Sequence, residues 1–257
     1  MKKINIIINS DDFGLSKSIN RGIIDSYNLG LISSTTIMMN MPDVEDAILL
    51  YKNIKDNKLG LGVHLNITVG KPLATNVDSL TDDNGKFHSP LSIKSGKVTL
   101  KYEDVYKELK TQIEKLLSYK IELDHIDCHH FMEENEIVFQ AMTTLASEYN
   151  VGLRVIDSCR EKFNTTENFS TDVFCDKFHQ STAAYKTILN YVDENQDKES
   201  IEIMTHLGYI DEDTKTKTSY ISREDEIEEL KKLKQTGFYA KVNLINYKQL
   251  QQLIKQS

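Results

Sequence analysis

Ile4-Asn5-Ile6-Ile7-Ile8-Asn9-Ser10-Asp11-Asp12-Phe13-Gly14 runs from an apolar, β-branched stretch directly into two carboxylates and a glycine. Such a run reads as a strand buried on both faces, the form strands take in a parallel sheet, with its polar groups at the C-terminal end. The pattern recurs at 34–39, 60–67, 124–128, 152–156, 201–204 and 239–244. Between these runs lie helical patterns at 17–29, 103–120, 134–149, 182–194, 223–235 and 247–255. In the first, Ser16 is a candidate N-cap and Gly30 a candidate stop; in the second, Val105, Leu109, Ile113, Leu116 and Leu117 form one stripe. Ser222 before Arg223-Glu224-Asp225-Glu226 reads as a capped helix start. Alternating βα units with right-handed crossovers predict an α/β fold, a (β/α) barrel of about seven parallel strands, with an open doubly wound sheet as the alternative.

The rest of the sequence narrows the class. The 257 residues carry 31 Lys and Arg against 39 Asp and Glu, a net charge of −8, which excludes a protein that grips phosphate backbones. Three cysteines, an odd number, make no disulfide framework, and the first apolar run is too short for a signal core or a span. The expectation is a cytoplasmic, single catalytic domain over 1–257. Segment 69–102 breaks the βα rhythm and carries the turn signal Asp82-Asp83-Asn84-Gly85, so it is expected to be an inserted loop or hairpin over the site.

Polar residues interrupt the strands at their C-terminal ends, and in a barrel those ends converge on one face. Asp11 and Asp12 could simply cap a helix, but Ser16 already offers itself for that. His64, ending the run 60–64, would alone be read as a hydrogen-bonded core histidine. The segment His125-Ile126-Asp127-Cys128-His129-His130 is harder to dismiss. Period-two alternation puts His125, Asp127 and His129 on one face, and three buried ionisable groups need partners that a metal could supply. Cys128 and His130 are expected on the opposite face. Asp12, His64 and His129 would make a two-histidine, one-carboxylate set with open positions, the arrangement of a catalytic ion, and Asp127 or Asp124 would orient a ligand imidazole. His88 and His179 are given no role.

At this point whole motifs resemble those of the YdjC-like carbohydrate deacetylases: residues 9–14, Gly62-Val63-His64-Leu65-Asn66-Ile67-Thr68, 125–130 and Met204-Thr205-His206-Leu207-Gly208-Tyr209-Ile210-Asp211. Thr35 to Pro42, Gly70-Lys71-Pro72-Leu73 and Arg223-Glu224 match as well, in order along nearly the whole chain. The resemblance implies a distorted (β/α) barrel of the NodB/polysaccharide-deacetylase type and a homodimer. It also implies one divalent metal ion, magnesium by family, held by His64, His129 and Asp12, with Asp11 as general base. Two imidazoles suit zinc or another transition metal better than magnesium. This chain departs from the family pattern at Ser10, Cys128, Phe131, Glu133 and Leu207. Phe131 and Glu133 stand where histidines expected to line the sugar pocket are common.

The implied reaction is metal-dependent hydrolysis of an N-acetyl group from an amino sugar or short, chitooligosaccharide-like oligosaccharide. Asp11 would take the proton of the attacking water, His206 would protonate the departing amine, and Arg154 would pair with Asp11. The segment 81–88 would shape the sugar site. The partner is a small acetylated sugar, with no nucleic acid and no membrane. Two alternatives stand beside this: a metal-dependent phosphoesterase of a related barrel, and a non-catalytic sugar-binding protein.

Overall fold

The computed structural model describes residues 3–56, 58–163 and 169–256. Strands β1 (Asn5–Phe13), β2 (Ser34–Ile37), β3 (Gly60–Leu65), β4 (His125–Cys128), β5 (Gly152–Leu153), β6 (Val173–Cys175) and β7 (Ser200–Thr205) are parallel and ordered β5-β4-β3-β2-β1-β7-β6. No ladder joins β5 to β6 among the described residues, so the sheet curls into an open half-barrel. An eighth strand, β8 (Asn243–Leu244), lies parallel to the first residues of β1.

Helices α1 (Lys17–Asn28), α2 (Val44–Lys52), α4 (Tyr102–Ser118), α5 (Glu136–Tyr149), α7 (Tyr185–Glu194) and α9 (Arg223–Gln235) lie between successive strands in the chain. In α4 the stripe Val105, Leu109, Ile113 and Leu116 is fully buried, worth about 1.5–3 kcal/mol per side chain. Ser16 caps α1, accepting from the Ile19 amide at 3.2 Å, and Gly30 takes φ +66° just beyond its end. Ser222 makes no such cap bond at α9. Short helices α3 (Pro90–Lys94), α6 (Asp157–Phe163), α8 (Glu212–Lys217) and α10 (Phe238–Lys241) complete the connections.

Two elements differ from expectation. The run 239–244 divides into α10 and the two-residue β8, because Gly237 in a left-handed conformation (φ +76°) starts a helical turn before the chain returns to β1. Strand β6 is three residues bracketed by Asp172 and Asp176, too short to show a period in sequence.

The strands alternate rather than being apolar throughout. Ile6 and Ile8 join the main core, whereas Ile7 belongs to a separate cluster with Ile245, Tyr247 and Leu250. That cluster is the plug brought by the C-terminal helix α11 (Tyr247–Gln256), whose Tyr247 ring stacks on His125 at 4.2 Å. A Cβ on Gly152 would collide with that ring, so glycine here admits the plug. Above it the barrel interior is polar: Asn9, Thr36, Asp127, Glu202 and Arg154 are all buried and bonded to one another.

Segment 69–102 holds a single antiparallel bridge, Thr81 to Phe87, around the turn at Asp82, followed by α3. Among the described residues no helix is long and apolar enough to cross a membrane.

Candidate active site

A regular strand would send Asp11 and Asp12 to opposite faces. The ladder between β1 and β2 slips between Ser10 and Phe13, and Asp12 adopts φ +72°. A bulge of this kind re-aims a side chain, and it turns both carboxylates into the barrel mouth. Gly14 (φ +93°) completes the turn, its amide donating to Asn20 Oδ1 at 2.7 Å.

Asp12, His64 and His129 converge. His64 Nε2 lies 3.1 Å from His129 Nδ1, and Asp12 Oδ1 is 3.6 and 3.3 Å from these two atoms. All three side chains are largely withdrawn from solvent, yet Asp12 Oδ1 has no hydrogen-bond partner. Atoms about 2.0–2.2 Å from a shared ion stand at such separations from each other, so the triangle fits one first-row cation. Asp127 Oδ1 bonds His64 Nδ1 at 2.8 Å, which orients the ring with Nε2 toward the triangle. Burial would depress His64, but the carboxylates of Asp127, Asp11 and Asp12 raise its pKa to about 9.

Arg154, just past β5, is the hub of the interior. Its Nη1 and Nη2 donate to Asp11 Oδ2 and Oδ1 at 2.8 Å each, and it also reaches Asp127 and Glu202 at 2.8 Å. Burial alone would raise Asp11's pKa; the paired guanidinium instead holds it far below the usual carboxylate range. Arg223, quoted in the sequence but given no role there, is buried and donates to Asp12 Oδ2 at 2.5 Å, holding Asp12 ionised against burial in the same way. Four buried carboxylates (Asp11, Asp12, Asp127, Glu202) thus face two guanidiniums; with His64 neutral, as a metal ligand must be, two negative charges are left for a divalent cation to neutralise. A second grouping, Asp11, His64 and Asp127, also has ligand atoms within 4.8 Å, but its carboxylates are already bound to Arg154.

A cavity of about 430 Å³ opens over these groups, and Asp11, His64, His129 and His206 line it. His206 follows the last residue of β7; its backbone N–H donates to Glu226 Oε2 at 2.6 Å, and Glu226 also accepts from the Tyr220 hydroxyl. Burial lowers the His206 pKa to about 4, although Asp11 and Asp12 pull the other way. From the insert the lining comes from Pro90, Leu91 and Lys94 of α3, not from 81–88. A larger groove of about 840 Å³ between α1, α2 and β8 contains no imidazole.

Several expectations are corrected. His125 does share Asp127's face, but lies a layer deeper, bonded to Asp124 at 3.1 Å and covered by Tyr247, outside the triangle. His130 lines the cavity instead of facing away from it, whereas Cys128, the last residue of β4, packs in the main apolar core as expected while bordering the cavity. The cause is the backbone: His130 and Phe131 both take left-handed conformations (φ +61° and +53°), so period two ends at His129. His130 Nδ1 meets Thr68 Oγ1 at 3.0 Å. His179, given no role, lines the cavity with its ring 5.2 Å from that of His206. Phe131 lines the cavity, whereas Glu133 is buried beneath it with both oxygens unpartnered. His179 comes from a loop and Arg223 from the first turn of α9, and only the curled sheet brings them to the site; no local pattern marks their roles there.

Residues 5–243 match the family model described as YdjC-like protein. The chain is 38% identical over 254 residues to a protein of Clostridium beijerinckii named carbohydrate deacetylase, covering 96% of this chain and 100% of that one. Among solved structures, a candidate cellobiose-phosphate cleavage protein of Enterococcus faecalis V583 superposes with TM-score 0.88 at 28% identity, covering 97% of this chain and 99% of that one. A family 4 acetyl xylan esterase of Clostridium thermocellum shares the half-barrel fold at TM-score 0.52 and 7% identity, over 97% and 91% of the two chains. On the match to the family model and the extent of these alignments, the chain belongs to the YdjC-like protein family.

Proposed function

We propose that the protein is a metal-dependent carbohydrate deacetylase that hydrolyses the N-acetyl group of an amino sugar or short oligosaccharide. The observation that carries this reading is the pairing, in one cavity, of the Asp12–His64–His129 triangle with a second carboxylate, Asp11, that is held ionised by Arg154. The relatives' name, carbohydrate deacetylase, agrees with it.

Asp12, His64 and His129 would hold one divalent cation, which when bound supplies Lewis acidity toward a carbonyl oxygen and a more acidic water. Asp11 accepts from Arg154 through both oxygens and from Asn9 Nδ2 at 2.8 Å. A carboxylate has about four lone-pair positions, so a site remains to accept the proton of the attacking water. The ion pair weakens Asp11 as a base in bulk terms but fixes it in position and keeps it charged. His206 rests neutral. Negative charge growing on the acetamide oxygen raises the proton affinity of His206, the direction in which Asp11 and Asp12 already act, so that it takes up a proton from solvent and passes it to the departing amine, while Asp11 gives the proton it took from the attacking water back to solvent. Two nitrogens and one oxygen favour zinc, cobalt, nickel or manganese over magnesium.

The test is acetate release from N-acetylated mono- and disaccharides after chelation and metal add-back. Restored release with about one ion per chain is the expected result. Two ions per chain with phosphate-ester cleavage would support the phosphoesterase alternative, and a protein that neither binds metal nor releases acetate would refute the hydrolase reading.

A further inference from the structure

The His206 imidazole has no acceptor to set its direction. His64 is oriented through Nδ1 by Asp127, whereas His206 Nδ1 is buried without a hydrogen-bond partner. Its backbone has left the sheet as well, since β7 ends at Thr205. The first turn of α9 takes over both peptide groups. Glu226, fully buried, accepts the His206 N–H at 2.6 Å, and Arg223 brings Nη1 to 3.5 Å from the His206 carbonyl while its Nη2 holds Asp12. We propose that Glu226 and Tyr220 are positioning residues that fix the His206 imidazole relative to the Asp12–His64–His129 triangle, where its proton reaches the leaving amine. This inference rests on the deacetylase reading, which gives His206 that task.

Tyr220 joins the parts. Its hydroxyl donates to the second Glu226 oxygen and accepts the Gln180 N–H at 2.7 Å. Its ring stacks on His206 with centroids 4.9 Å apart and 29° between the planes, and meets His179 at 4.7 Å. The Arg223 guanidinium lies 5.1 Å from the same ring. His179 stands nearly perpendicular to His206, at 76°. The His206 ring is thus confined by two aromatic neighbours and by its own peptide bonds, with no carboxylate on Nδ1 to protonate it at rest.

Two features separate this arrangement from ordinary core packing. A carboxylate withdrawn from water to bond one amide and one hydroxyl costs more free energy than a neutral acceptor would, and burial pushes the Glu226 pKa up to about 7. Its oxygens are also divided between the two segments that bring His206 and His179 to the cavity. One bonds His206 directly, and the other reaches the His179 loop through the Tyr220 hydroxyl and Gln180.

The experiment measures acetate release from the β-1,4-linked N-acetylglucosamine dimer and from 4-nitrophenyl acetate. The proteins are zinc-loaded wild type, Tyr220→Phe, Glu226→Gln, His206→Ala, and each of the first two combined with His206→Ala. Nitrophenolate leaves without a proton, so the aryl ester has no need of the acid. Tyr220→Phe, which keeps the stacked ring, and Glu226→Gln should each lower kcat on the dimer about tenfold, while KM, zinc content and the aryl ester rate change less than twofold. Added to His206→Ala, either should lower the residual dimer rate less than twofold, because residues that act through one group are not additive. Equal losses on both substrates, losses that multiply with that of His206→Ala, or no loss in either variant overturn the proposal. Should Glu226→Gln not fold, Tyr220→Phe carries the comparison. If wild type releases acetate from neither the dimer nor any other N-acetylated mono- or disaccharide, the deacetylase reading fails and imidazole ¹⁵N–¹H spectra decide. A His206 signal that shifts or broadens in Tyr220→Phe, with those of His64 and His129 unmoved, supports the clamp; an unchanged His206 signal overturns it.

Discussion

Asp11 and Asp12 are neighbours in sequence and perform different tasks because their partners differ. Asp11 has both oxygens in the Arg154 fork, while Asp12 gives one oxygen to Arg223 and keeps the other free toward two imidazoles. Asp11→Asn preserves volume but not the ion pair. It should bind metal as the wild type does while kcat falls by about two orders of magnitude, the scale of a lost general base. Metal content by mass spectrometry beside acetate kinetics checks this, and near-normal turnover would contradict the base role. Glu133 gives a second prediction. Its buried carboxyl has no partner, and burial lifts its pKa from 4.5 to about 8, with Asp127 adding to the rise and Arg154 opposing it. A raised acid binds its proton more tightly in the folded state, so its stabilising contribution is complete below pH 4.5 and disappears as pH rises through 8. Each unit of separation corresponds to about 1.4 kcal/mol. Glu133→Gln should therefore raise the free energy of unfolding measured in urea relative to wild type at pH 9, by an amount on the order of a few kcal/mol, and have little effect at pH 5. An equal effect at both pH values would contradict the assignment.

At the scale of elements, the turn ending β1 and the helix α11 each hold the site from a distance. Gly14 sits at φ +93°, and a Cβ there would lie 3.3 Å from Met38 O and from Val44 Cγ2. Gly14→Ala should cost about 1–3 kcal/mol, read as a fall of roughly 2–4 °C in Tm per kcal/mol for a chain of this size. It should also reduce turnover, since Asp12 is two residues away. The Tyr247 hydroxyl donates to Glu202, which bonds Arg154, which bonds Asp11. Tyr247→Phe keeps the ring that stacks on His125 and removes only the donor. A loss of about 1–2 kcal/mol in stability, with kcat lowered several-fold and KM unchanged, would mark Tyr247 as a positioning residue. A change in KM alone would not fit that chain of contacts.

For the molecule as a whole, the interior of the half-barrel is an ionic column on an apolar plug, and with His64 neutral its carboxylates outnumber its guanidiniums by two. A ligand that binds only the folded state stabilises by about 2.7 kcal/mol at a hundredfold excess over its Kd. Chelation should therefore lower Tm by several degrees and zinc or cobalt should restore it more fully than magnesium; a Tm indifferent to both would contradict a metal at Asp12, His64 and His129. Much of this was legible in the linear chain. Apolar runs ending in carboxylates and imidazoles announced parallel strands with chemistry at their C-terminal ends, and Asp11, Asp12, His64, His129, Arg154 and His206 could be picked out because each interrupts or ends such a run. Those are local signals, set by which side chains a buried strand tolerates. His179, Arg223 and Phe131 carried no such signal, nor did the left-handed turns at Asp12 and His130 that aim the site's side chains. Their positions depend on contacts between residues as far apart as Asp12 and Arg223, and such contacts exist only once the sheet has curled and the C-terminal helix has closed its base.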